Sequence, residues 1–229
     1  MLNKNKIKQQ FLTFIILIIS TVTLIICNHF PTKAEQPKLQ IHPLPLTLEK
    51  WQNNNQDDYF DQIKPTKYGY LIWSKFPVKV FIDKQNKPDK NWVNSVTQAV
   101  QDWEAYLPLE IVENSELANI IILRKTPPLE IDKKGKITRA RSALTTYQIY
   151  QENNILLPKF TILLSPTQTG EYIISAARHE IGHTLGIWGH SLSPKDVLYF
   201  SQIRQPVSIS VRDVNTLKKI YQQPTSLGW

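Results

Sequence analysis

His179-Glu180-Ile181-Gly182-His183-Thr184-Leu185-Gly186-Ile187-Trp188-Gly189-His190 is the stretch on which the reading of this chain turns. His179 and His183 stand four apart, so on a helix they face the same way, one turn from each other. Two imidazole nitrogens so placed can take two corners of a tetrahedral zinc site. Glu180 comes directly after the first histidine and points to one side of the metal, where it can hold a water and accept its proton. Gly186 permits the positive φ that ends a helix and turns the chain, and that turn can bring His190 back as a third ligand. Three protein ligands leave a fourth position open, as in a catalytic site. A structural zinc site needs a fourth protein ligand, and no cysteine is nearby to supply it.

The same residues have blander readings. An isolated H-E-x-x-H can arise by chance, and a histidine on a helix is usually a surface or core residue. Yet the chain holds only five histidines, and three fall within these twelve residues. The residues downstream narrow the third ligand. No Glu occurs after Glu180, and the remaining acids are Asp196 and Asp213. Asp213 suits a helix cap, which leaves His190 favoured and Asp196 second.

Around the motif, the pattern is that of an α+β domain with a mixed sheet, spanning residues 68–224. Val78–Ile82 alternates and is rich in β-branched and aromatic residues, so a strand is expected. Asp89 can cap a helix that ends before Pro108, with Trp92, Val96, Ala99, Val100, Trp103 and Leu107 at helical spacing. Leu109–Val112 and Asn119–Leu123 read as short strands, and Lys133-Lys134-Gly135-Lys136 as a loop. Ser142–Tyr150 and Phe160–Leu164 read as two more strands, joined through Glu152-Asn153-Asn154. The zinc-type motif falls on a helix expected over Gly170–Leu185, with Thr169 as its cap. A last helix is expected over Val211–Tyr221, with Ser210 and Asp213 spaced as a capping box and Pro224 ending it.

Outside that domain, residues 35–67 read as a Pro- and Asn-rich spacer and 225–229 as a tail. Leu44–Trp51 is apolar enough to pack on the domain. Residues 1–34 read as a targeting segment. Lys4, Lys6 and Lys8 precede an uncharged apolar run from Phe11 to Cys27, the pattern that sends the rest of the chain out of the cytoplasm. A signal peptide cleaved after Ala34 and an uncleaved membrane anchor both fit, since the run is near the lower limit for a span. The expected location is therefore secreted, periplasmic or anchored outside the cytoplasmic membrane, with membrane contact only through this segment.

The formal charge is +8, but its location matters. Without the four lysines of residues 1–34, 23 basic residues face 19 acidic ones. No basic cluster interleaved with aromatics stands out, which argues against nucleic acid as a partner. The single cysteine, Cys27, rules out an intrachain disulfide.

The motif resembles the extended zinc motif of the metzincin peptidases, H-E-x-x-H-x-x-G-x-x-H, and His190-Ser191 resembles the matrixin branch in particular. The similarity extends over most of residues 68–222. Trp103 with its helix, Leu109-Glu110-Ile111, Ala118-Asn119-Ile120-Ile121 and Ser210–Tyr221 resemble matrixin elements in the same order. Two departures fall at the site. Ile187-Trp188-Gly189 puts one residue more than the family has between the glycine and the third histidine, with Gly189 able to supply flexibility. The only methionine is Met1, and Leu198 stands at the Met-turn position in Asp196-Val197-Leu198-Tyr199-Phe200.

The resemblance implies a metzincin-like fold and a zinc metalloendopeptidase, with His179, His183 and His190 as ligands and Glu180 as general base. It implies an extended protein or peptide substrate laid along a sheet edge near Ser142–Tyr147, with Tyr199 walling the pocket. A monomer is expected. Calcium stays open as a second ion, with no acidic loop of calcium-ligand spacing. A zinc-containing envelope binding module without catalysis is the rival reading, motivated by the two departures. An envelope protein with an accidental motif is the third.

Overall fold

A computed structural model describes residues 38–52, 57–85, 89–132, 135–139, 141–201 and 207–229. The targeting segment, Cys27, Asn53-Asn54-Asn55-Gln56 and Lys133-Lys134 lie outside these residues. All described residues belong to one compact unit, Pro37–Trp229. Among them no helix is long and apolar enough to cross a membrane.

The elements in chain order are α1 (Leu46–Lys50), β1 (Val78–Ile82), α2 (Lys90–Glu104), β2 (Leu109–Val112), β3 (Ile120–Arg124), β4 (Glu130–Ile131), β5 (Ile137–Arg139), β6 (Ala143–Glu152), β7 (Ile155–Leu164), α3 (Glu171–Thr184) and α4 (Val211–Tyr221). The fold is α+β, built on a five-stranded sheet in the order β2-β1-β3-β7-β6. The first four strands run parallel and β6 closes one edge antiparallel to β7. Strands β4 and β5 pair as a two-stranded sheet, a pairing the sequence pattern does not announce.

Alternation is what builds the sheet. Val78, Val80 and Ile82 of β1 are buried on one face, as are Phe160, Ile162 and Leu164 of β7. Helix α2 begins where Asp89 accepts from the N–H groups of Asn91 and Trp92. It buries Trp92, Val96, Ala99, Val100 and Trp103 in one stripe. Helices α2 and α3 pack on each other and on the sheet.

The largest departure from the expected strand limits is in β7. Strand β7 starts at Ile155, not Phe160, and so runs through Pro158. Pro158 lies in the half of β7 before β3 joins at Phe160, between the residues paired with β3 and the bridge from Leu156 to Leu227, and a missing N–H is tolerated there. The connecting turn uses Asn153 and Asn154, both at positive φ, which short polar side chains accept.

The described residues of 38–67, and residues 225–229, are built into the domain. Leu48, Tyr59 and Ile63 are core residues, as is Leu227. Gln40 and Thr225 exchange backbone hydrogen bonds at 2.9 and 2.8 Å, and His42 stacks on Trp229 at 4.2 Å. A polar, proline-broken composition conceals such isolated anchors.

Candidate metal centre

The site grows from the last turns of α3. The helix starts at Gly170 with φ 58° and no side-chain cap, so Thr169 does not cap it. Ile173, Ala177 and Ile181, four residues apart, anchor it in the core. Gly182, His183 and Thr184 are buried as well, so the helix runs its C-terminal end into the molecule. Gly186 then takes φ 123°, and a Cβ there would overlap the Leu71 carbonyl oxygen.

The extra residue before the third histidine is accommodated by packing. Ile187 is fully buried and its N–H returns to the Gly182 carbonyl at 3.2 Å. Trp188 sets its ring edge-on to His183 and Tyr147. Gly189 has an ordinary φ; glycine is needed because a Cβ would strike the Gln62 carbonyl. The need at Gly189 is thus for space rather than flexibility.

This path brings His179, His183 and His190 together, with ligand atoms all within 4.8 Å of one another. The three are close enough to bind a metal ion. Two of them are also oriented for it. His179 Nδ1 lies 2.8 Å from the Val197 carbonyl and His183 Nδ1 lies 2.7 Å from that of Ile187. A carbonyl accepts, so each Nδ1 carries the proton and each Nε2 keeps its lone pair. Those two Nε2 atoms are 3.1 Å apart. Burial, then the neighbouring His179, lowers the His183 pKa well below its usual value. It therefore stays neutral, the form that binds metals.

Glu180 is buried and lines the same cleft. Burial raises its pKa; the neighbouring His179 and a hydrogen bond from Thr145 oppose that. Thr145 Oγ1 lies 2.5 Å from Glu180 Oε2 and donates to it. Strand alternation alone does not single out Thr145 as the partner of Glu180; the pairing arises where β6 meets α3.

The segment after His190 underlies the site. Leu198 is fully buried against Gly182, the residue between Ile181 and His183. Asp196, the second candidate for third ligand, is occupied elsewhere. It accepts from Ser191 Oγ at 2.5 Å, Arg212 Nε at 3.0 Å and Ser210 Oγ at 2.7 Å. Asp213 completes the expected capping box with Ser210 and does more. Its carboxylate accepts the Val197 N–H at 3.0 Å and the Tyr59 hydroxyl at 2.5 Å. The Val197 backbone thus links Asp213, through its N–H, to His179, through its carbonyl.

The cleft has a volume of about 590 Å³. It is bordered by Ser142–Thr145 of the sheet edge on one side and by Tyr199 and Phe200 on another. No model of a known protein family matches the chain, and no curated protein matches it either.

Proposed function

We propose that this chain is a zinc-dependent endopeptidase of metzincin type, acting outside the cytoplasm on protein or peptide substrates. The observation that carries the reading is the convergence of three histidines beside a buried carboxylate, in an open cleft bordered by a sheet edge. The donor set is all imidazole, which suits zinc. When bound, zinc supplies a polarised carbonyl and a water of lowered pKa.

The chain's own residues do the rest. β6 has a neighbour on one side only, so an extended peptide can add to it by main-chain hydrogen bonds. Glu180 takes the proton of the attacking water and delivers it to the leaving amine. Its raised pKa suits both halves of that task, and the Thr145 hydroxyl holds one carboxylate oxygen, leaving the other for water.

The test is a peptide-library digest by the zinc-loaded chain and by Glu180→Gln at equal metal content. The variant should keep its zinc and lose hydrolysis by roughly 10²–10⁴-fold, the usual effect of removing a general base. Equal cleavage by the two proteins would overturn the assignment. Zinc without any cleavage in the parent would favour the binding-module reading.

A further inference from the structure

Gln168 lines the cleft and is 8% exposed, and neither its carboxamide oxygen nor its nitrogen has a hydrogen-bond partner. An amide without a protein partner is costly to bury unless something in the cleft supplies its hydrogen bonds. Few described side chains share this lack of a partner, and of those only Arg141, through its Nε, also borders the cleft.

The backbone holds Gln168 in place. Its N–H donates to the Ser165 carbonyl at 3.2 Å, and the Thr167 N–H donates to Ser165 Oγ at 3.3 Å. Ser165 is tied in turn to the Ser142 carbonyl at 2.8 Å, where β6 begins. Arg141 precedes Ser142, and its Nη2 is paired with Glu130. Unmet donors and one unmet acceptor therefore gather at one end of the cleft.

We propose that this end receives a carboxamide side chain of the substrate, glutamine or asparagine, with Gln168 as the specificity-determining residue. The proposal rests on the peptidase reading. A carboxamide offers an N–H to the Gln168 oxygen and an oxygen to the Gln168 N–H or to Arg141 Nε. Turning the Gln168 amide into the cleft breaks no hydrogen bond, since it has none to lose. An apolar side chain would leave all these groups unmet. An anionic one would meet Glu180 in the same cleft, while the Arg141 charge is already matched by Glu130. A cationic one, with donors only, would leave the Gln168 N–H and Arg141 Nε unmet.

The test uses the zinc-loaded full chain with Glu180→Gln, so that peptides bind without being cut. Fluorescent peptides carry Gln, Met or Glu at each position in turn, and binding is read by anisotropy. At one position Gln should bind about 10-fold tighter than Met, the effect of two neutral hydrogen bonds. Adding Gln168→Met, which keeps the size of the side chain, should erase that preference and raise the melting temperature. Gln peptides binding no tighter than Met peptides at every position would overturn the proposal. So would a preference that survives Gln168→Met. Hydrolysis by the parent is scored separately. Cleavage without the Gln preference sinks this inference alone; the preference without cleavage sustains the pocket and sinks the peptidase reading.

Discussion

His183 uses one nitrogen to satisfy the Ile187 carbonyl and presents the other to its two histidine neighbours. Replacing it with Ala should remove most bound metal, measured as zinc per chain, and lower the melting temperature of the metal-free protein by stranding a buried carbonyl. Undiminished stoichiometric zinc would refute the ligand assignment. Asp213 permits a separate test by pH. Burial raises its pKa above the ordinary 3.8, against the hydrogen bonds from Tyr59, Ser210 and Val197. Between the unfolded and folded values the folded chain keeps a proton that the unfolded chain has released. Stability from this group is therefore highest at low pH and falls as pH rises through that window. Asn at 213 can still accept the Val197 and Ser210 N–H groups with its oxygen and donate to the Tyr59 oxygen with its amide. Asp213→Asn should therefore stay within about 1 kcal/mol of the parent at pH 7. Its stability relative to the parent should improve between pH 4 and 7, measured by denaturant titration. Among single residues the sequence was most informative for the clustering of His179, His183 and His190, because their spacing along the chain is local. The bonds from Thr145 to Glu180 and from Asp213 to Val197 join residues far apart in the chain, and no local pattern specifies them.

Helix α3 is packed from below and carries His179 and His183 above. A Cβ on Gly182 would sit 2.7 Å from Leu198 Cδ2 and 3.0 Å from Trp103 Cζ2. Both side chains are fully buried, so neither has free room to move. Gly182→Ala should cost about 1–3 kcal/mol, as overpacking does, and Leu198→Ala should be less harmful in that background than alone. Denaturant midpoints of the two single variants and the double variant decide it; strict additivity would show that the contact is not the cause. Elements with strong periodicity were legible: β1, α2, β2 and α4 fall where apolar spacing and caps place them. The limits of β7 and the pairing of β4 with β5 were not. Pro158 reads as a breaker unless the neighbouring strand is known to have ended, and two-residue strands carry no period.

Across the domain, the segment before β1 acts as a strap. Trp51 and Asp57 are bonded to Asn215, Thr216 receives the Tyr59 N–H, and Lys219 pairs with Asp58, all along α4. Gln62 abuts Gly189 on the path to His190. Leu48→Ala should therefore cost about 2–5 kcal/mol despite lying far from the sheet strands in sequence. Removal of residues 38–67 should abolish cooperative unfolding and metal retention together, by calorimetry and metal analysis. A fully stable, metal-loaded domain starting at Tyr68 would refute the strap. Composition hid it because single anchors such as Leu48, Tyr59 and Ile63 among prolines and asparagines show no repeat to read.

The pairing of Gln40 with Thr225 and the stacking of His42 on Trp229 bear on topology. The two ends of the described domain lie side by side, so they can be spliced by a few flexible residues and the ring so formed reopened at an exposed turn such as Asn153-Asn154. The fold is, in that sense, nearly circular: its linear order is one of several that the same set of contacts would accept.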